Sequence, residues 1–308
     1  MRVVLLGKGE MLSNLIRGVM LSEAEIAGVF RYERLKFSSI KMFLHDFFNS
    51  SAELTLIKKY NLTDLPFKSA NSAEFKNFLI KENIDLVIVG TWCEKIKKEI
   101  FEVPVIGTVN VHPSLLPKYR GPNPYLQTIL HGEKYSGVTF HLMNENFDRG
   151  AILAQSEIEI LDGDTGKELR QKTVFRARLM CAELVEKLSQ GFVIPIPQDE
   201  SSATYFENVK PEEMTLDFQK ETSVELLRRI RAFHPWLPVY FQYGKVFFKV
   251  NPYHTEILAM SGEPSKIIEK GKNSVTVATI DGKALRMNNL QLYKFPFLTG
   301  FVIDRISI

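Results

Sequence analysis

A chain of 308 residues is too long for one average domain and short for three, so two domains are expected. A hydrophobic content of 45% supports a sizeable core, and no run of about 18 apolar residues announces a membrane span. Two cysteines, Cys93 and Cys181, imply no disulfide framework and fit a reducing cytoplasm; a net charge of +3 permits an anionic substrate but does not announce a nucleic-acid binder.

The first residues, MRVVLLGKGEML, lack a small-residue cleavage site and read as a β-strand over 2–7 rather than a signal peptide. MLSNLIRGVML then has helical spacing, and AEIAGVF is a second strand. Strand, helix, strand at this spacing argues for a right-handed βαβ unit in a parallel sheet. The Gly7-Lys8-Gly9 turn invites a nucleotide-binding reading, but without a third glycine a tight βα turn explains it better. Residues 31–62 are rich in Lys and Phe and read as one or two amphipathic helices, with His45 a surface or packing residue. SAEFKNFLIKENI is another helix, and DLVIVG a buried strand ending at Gly90. Trp92 lies just past that strand end, where open α/β sheets bind ligands, although a core aromatic is as good a reading. Cys93 has no metal-spaced partner and by itself reads as a structural thiol.

The stretch from Val109 to Gly150 organises the rest. Asn110 and His112 sit two apart at the end of an apolar run, so on a strand they share one face. The proline-punctuated loop SLLPKYRGPNP follows, then a second apolar run, GVTFHLM, and a turn carrying Asp148. Amide, imidazole and carboxylate at strand ends are the parts for polarising a carbonyl and moving a proton at neutral pH. Beyond them, AILAQSEIEI reads as a strand pair or extended run. DGDTGKELRQKTVFRARLMCAELVEKLSQG reads as a helix capped by Thr165 and stopped at Gly191. Prolines in IPIPQDESSATY mark a linker over about 193–205. Five short β-like runs follow (PVYFQY, KVFFKV, SKIIEK, SVTVATI and ALRMNNLQLY), with turn signals at Tyr243-Gly244, Lys270-Gly271 and Asp281-Gly282. They suggest a small barrel-like β domain. The expected architecture is thus an α/β fold with a doubly wound, mostly parallel sheet over 1–200, and a smaller OB-like β domain over 205–308.

NVHPSLLPKYRG, then GVTFHLM, then DRGAILAQ resembles the signature of 10-formyltetrahydrofolate-dependent formyltransferases. LLRRIRAFHPW (226–236) is similar to the IRAFNPWP segment of methionyl-tRNA formyltransferases, so the resemblance spans most of the chain. It implies that Asn110 stabilises the formyl oxyanion while an amine attacks. His112 would act as acid or base, and Asp148 would orient it and relay the proton. Formyl transfer between nitrogens passes through a tetrahedral centre that needs an oxyanion donor and a proton shuttle, but no covalent nucleophile and no metal. The resemblance places the folate co-substrate in a cleft lined by Ser114, Leu115, Leu116 and Pro117 and by the 90–96 loop with Trp92 and Cys93, near Asp148. It puts Tyr119, Arg120 and His141 on the acceptor side; His131, His234 and His254 read as structural.

Trp-Cys-Glu at 92–94 stands where methionyl-tRNA formyltransferases tend to have Tyr-Gly-Leu. The segment RYERLKFSSIKMF is basic yet lacks the Pro-Gly-Arg-Gly core of their acceptor-stem insertion. KYRG and GE-x3-GVT-x-H look closer to enzymes that formylate nucleotide-linked amino sugars, such as UDP-4-amino-arabinose. The expected acceptor is therefore such a sugar, with Met-tRNA the alternative and a homodimer left open. Hydrolysis of 10-formyltetrahydrofolate ranks behind transfer, since no regulatory segment is seen before the first strand. A non-catalytic RNA- or nucleotide-binding module is the rival of another class, distinguished by salt-dependent RNA retention without turnover.

Overall fold

The structure, a computed structural model, describes residues 1–48 and 51–306. The described chain forms two compact units. One comprises 1–121, 136–159 and 171–205; the other comprises 122–135, 160–170 and 206–308.

The first unit is built on a six-stranded sheet of β1 (Arg2–Gly7), β2 (Glu25–Arg31), β3 (Leu86–Gly90), β4 (Gly107–His112), β5 (Tyr135–Leu142) and β6 (Ile152–Glu159), in the order β2-β1-β3-β4-β5-β6. β1 pairs in parallel with β2 and β3, and β3 with β4, whereas β4 and β5 run antiparallel. RVVLLG and LVIVG are uninterrupted apolar runs because both faces of a parallel sheet are covered. On one face Val4, Leu6, Val87 and Val89 pack with Phe75 and Leu79 of α5 (Ala73–Lys81) and with Ile100 and Phe101 of α6 (Lys98–Phe101). On the other, α1 (Gly9–Val19) lays Met11, Leu12, Leu15, Ile16 and Val19 down, a 3.6-residue period. Met11 and Leu15 come so close that no Cβ would fit at Gly90, and Gly7 is likewise closed by the Gly90 carbonyl. The Gly7-Lys8-Gly9 turn is therefore a packing turn. Its helix end is already occupied: Oε1 of the buried Glu53 accepts the Gly9 N–H at 3.0 Å.

Residues 31–62 differ from expectation in holding three helices: α2 (Glu33–Lys36), α3 (Ser39–Phe48) and α4 (Ala52–Lys59). The breaks fall where Phe37 turns extended and where Ser51 caps α4 by accepting the Leu54 N–H. AILAQSEIEI is one strand, β6, rather than a pair. α8 (Gly166–Ser189) ends just before Gly191, whose φ of +72° only glycine adopts freely; at its start Thr165 accepts the Lys167 N–H at 3.2 Å.

The second unit contains α7 (Pro124–Leu130) and α9 (Ser223–Phe233), which pack together, and seven short strands in two antiparallel sheets. β7 (Tyr240–Tyr243), β8 (Val246–Lys249) and β13 (Gln291–Leu292) form one; β9 (Thr255–Leu258), β10 (Ile267–Gly271), β11 (Ser274–Ala278) and β12 (Ala284–Met287) form the other. The turns at Gly244 and Gly282 fall as expected, but Lys270 and Gly271 lie within β10 and the turn is Lys272-Asn273. β9, a four-residue strand, was not anticipated. A short helix, α10 (Thr299–Ile303), follows β13.

Candidate active site

Strand register brings the central residues together. Asn110 lies opposite His141, and His112 opposite Thr139, across the antiparallel β4–β5 pair. The Asn110 amide Nδ2 is 3.1 Å from His141 Nε2, and His141 Nδ1 is 2.9 Å from the Leu142 carbonyl. A carbonyl only accepts, so the proton sits on Nδ1, and Nε2 accepts from the amide. Burial first, and the neighbouring His112 next, hold the His141 pKa down to about 4, so this ring is neutral and fixes which way Asn110 points.

The same logic sets the other ring. His112 is 4% exposed, and its Nε2 donates to the Tyr119 carbonyl at 2.9 Å. Nδ1 therefore faces Asp148, with Oδ1 at 3.4 Å. With the proton on Nε2, Nδ1 of the neutral ring turns its lone pair toward the carboxylate. Asp148 Oδ1 is also 3.9 Å from His141 Nε2, and Oδ2 accepts the Gly121 N–H at 3.1 Å. Asp148 adopts φ of +57°, a conformation costly for most non-glycine residues. Its turn is held from both sides. Gln198 donates to the Asp148 and Gly150 carbonyls at 2.9 and 2.8 Å, and a side chain at Gly150 would run into the Leu142 carbonyl.

Arg120, expected at the acceptor, is 3% exposed and has its guanidinium on Glu200 (2.7 and 2.9 Å) and Gln198 (2.7 Å). It fastens the 198–200 segment and so supports the Asp148 turn. Tyr119 enters through its carbonyl, with φ of +59° and its N–H on Thr204 Oγ1 at 2.8 Å. The stretch read as a linker, 193–205, is thus a strap: Ile196 bridges to Ile152, Gln198 and Glu200 hold the site, and Tyr205 bridges to Arg120. Gln198, Glu200 and Thr204 escaped sequence reading because no periodicity or motif marks them.

The Ser114–Pro117 loop is locked inward. Ser114 is fully buried with Oγ on the Lys118 carbonyl at 2.7 Å, and Gln155 donates to the Leu116 carbonyl at 2.9 Å. Leu115 is half-buried and packs at Gly137. Trp92 packs edge-on against Phe30 and Tyr32 at 5.1 and 5.3 Å, on the core, with its Nε1 buried and without a hydrogen-bond partner among the described residues. Cys93 is exposed and free. Glu94 is engaged by Ser69, by the Ala70 N–H at 2.9 Å and by Asn71 at 3.2 Å, which ties the 91–97 loop down.

A cavity of about 510 Å³ lies at the amino end of β4. It is lined by Phe101, Thr108, Leu142, Met143 and Asn144–Asn146, and by none of 90–96 or 114–117. Thr108 shares a strand face with Asn110, and the 144–146 wall leads into Asp148. No group of three metal-ligating side chains occurs among the described residues, and no helix there is long and apolar enough to cross a membrane.

Comparison with known proteins agrees with this arrangement. A family model described as Formyl transferase matches residues 1–184, and one described as Formyl transferase, C-terminal domain, matches 208–296. The methionyl-tRNA formyltransferase of Lactiplantibacillus plantarum is 32% identical over 238 residues, 76% of this chain and 74% of its own. That of Staphylococcus aureus is 28% identical over 236 residues, 76% and 75% of the two chains. Among solved structures, an N-formyltransferase from Helicobacter canadensis with folinic acid and dTDP-3-aminofucose superposes with a TM-score of 0.68 at 18% identity, covering 94% of this chain and 99% of its own. HypX from Aquifex aeolicus with tetrahydrofolic acid gives 0.64 at 18% identity, covering 96% and 44%. With family models matching 1–184 and 208–296 and a relative at 32% identity over 76% of the chain, the chain belongs to the formyl transferase family.

Proposed function

We propose that the chain transfers a formyl group from 10-formyltetrahydrofolate to the primary amine of a nucleotide-linked amino sugar. The free N–H of the Asn110 amide, aimed by neutral His141, donates to the formyl oxygen as negative charge grows on it. Both nitrogens of His112 are engaged, one by Tyr119 and one by Asp148, so the proton leaving the attacking amine reaches the imidazole by way of the Asp148 carboxylate. It returns along the same route to the departing nitrogen of tetrahydrofolate. The donor's ring system is assigned to the cleft beside the 90–96 and 114–117 loops, which follow the carboxyl ends of β3 and β4.

The observation that carries the acceptor class is the fate of the basic segment after β2. Arg31 is 1% exposed and pairs through both ends of its guanidinium with Asp46 (2.7 and 2.8 Å) and Asp64 (2.6 and 3.2 Å). Arg34 also pairs with Asp64, at 2.5 Å, and Lys68 donates to the Arg34 and Phe37 carbonyls at 3.3 and 2.6 Å. Arginines neutralised in this way offer no spread of free charge for RNA phosphates. Met-tRNA remains the second reading because the relatives at 28–32% identity are methionyl-tRNA formyltransferases.

Incubation with 10-formyltetrahydrofolate and a panel of UDP- and dTDP-amino sugars beside Met-tRNA tests both readings by formyl incorporation. Incorporation into a sugar, abolished by Asn110→Ala, is the expected result. Formylation of Met-tRNA alone overturns the acceptor, and a folded Asn110→Ala protein with normal turnover overturns the mechanism.

A further inference from the structure

At the carboxyl ends of the parallel strands, register sets the level. Gly7 pairs with both Arg31 and Gly90, and Val89 pairs with Asn110. Lys8, Tyr32, Thr91 and the end of β4 therefore emerge side by side. Here the strand order reverses, since β2 and β3 lie on opposite sides of β1; open α/β sheets bind ligands in the crevice such a reversal leaves. Two ammonium groups meet on one ring at this place. Lys8 Nζ lies over the Tyr32 ring at 4.9 Å from its centroid and Lys36 Nζ at 5.1 Å. Neither has an ion-pair partner among the described residues, in contrast to Arg31 and Arg34 beside them. Two like charges held on one aromatic ring without a counter-charge are stabilised by an anion that joins them.

One carboxylate oxygen at this position, Glu33 Oε2, is buried without a hydrogen-bond partner among the described residues. The N-terminus of α1 is taken by Glu53, so an anion there would rest on the lysines and not on the helix end. Glu33 and Glu94 act on the hydroxyl end of Tyr32, while the lysines lie over the ring. Glu94 is already held by Ser69, Ala70 and Asn71. Lys8 follows β1 and Asn110 lies on β4, two places away in the sheet and two residues lower in register, so their backbones are roughly 12 Å apart. That leaves room for one sugar ring between an amine at Asn110 and a diphosphate at the lysines.

We propose that Lys8, Lys36 and the Tyr32 ring bind the diphosphate of the acceptor, which makes the acceptor a nucleoside-diphosphate-linked amine. The assignment rests on the formyl-transfer reading and deepens it. Two lysines converging on one ring form a compact site for a small dianion, whereas RNA would need cations distributed along a surface.

Calorimetric titration with UDP and with dTDP, without folate or turnover, tests the site apart from the reaction. Wild-type protein should bind at least one of them, and Lys8→Ala/Lys36→Ala should weaken binding at least tenfold. In turnover the double variant should raise KM for the phosphorylated acceptor at least tenfold and leave KM for the formyl donor in place. Equal affinity in wild type and the double variant, with matching thermal melts, overturns the proposal. So does retention of an RNA hairpin, steeply salt-dependent, by a chain that ignores both nucleotides. Lysine-dependent nucleotide binding in a chain that formylates no amine overturns the transfer reading instead and leaves the anion site standing.

Discussion

In the proposed reaction, four ring nitrogens and one carboxylate carry the chemistry at the scale of single residues. His141 is a neutral positioning residue: its Nε2 accepts from Asn110 only while unprotonated. His141→Phe should leave the amide free to rotate and lower kcat by about tenfold to a hundredfold, with a smaller change in donor KM, as steady-state kinetics would show. The same ring carries a pH signature. Its folded pKa is lowered, to about 4, below the ordinary histidine value of 6.5. Its stabilising share is thus complete above the unfolded pKa and is lost as pH falls from about 6.5 toward 4. Urea melts across that window should show wild-type stability declining, with a shallower decline in His141→Phe. Gln198→Ala removes both bonds that hold the Asp148 turn, and kcat should fall roughly tenfold while KM for both substrates changes little.

Among elements, a buried charge cluster ties α3 to the end of β2. Arg31 is buried, and its pKa is raised because Asp46 and Asp64 outweigh the opposing cost of burial. Burial also pushes Asp46 up, yet the bonds and charge of Arg31 hold it below the usual carboxylate range. Asp64→Asn leaves the guanidinium half-paired in a dry place and should cost about 2–3 kcal/mol, a fall in Tm of roughly 5–10 °C by calorimetry. The second unit uses a comparable anchor. Asp281 accepts from the Ser223 N–H at 3.1 Å, Ser223 Oγ at 2.7 Å and Thr279 Oγ1 at 2.6 Å, at the start of α9. Burial works against it, but these donors bring its pKa down to about 2, so the anchor holds above pH 4 and loosens as pH falls toward 2. Asp281→Ala should unfold at lower temperature than wild type at pH 7, with the gap closing near pH 2.

On the scale of the whole molecule, the chain reads as a doubly wound α/β unit over 1–200 and a β-rich unit over 205–308; the structure has two compact units too, but 122–135 and 160–170 belong to the second. The six-stranded sheet was legible because parallel strands covered on both faces must be continuous apolar runs. The hairpins at Gly244 and Gly282 were legible because glycine accepts the positive φ such turns need. β9 and the division of 31–62 into three helices were not: β9 and α2 are four residues each, and no glycine or proline marks the breaks between the helices.

Asn110, His112 and Asp148 could be named from sequence because a strand's two-residue alternation and an intervening proline loop dictate which side chains emerge together. That argument is local and needs no coordinates. It could not show that His141 aims Asn110, that Arg120 faces Glu200 and not a substrate, or that a proline-broken stretch near 198 straps the Asp148 turn in place. Those contacts join residues separated by 31 to 80 positions, and hydrogen bonds at such separations leave no periodic trace in the chain. Chemistry was written in the local pattern; orientation, protonation and support were set only when folding brought distant donors and acceptors within 3 Å or so of one another.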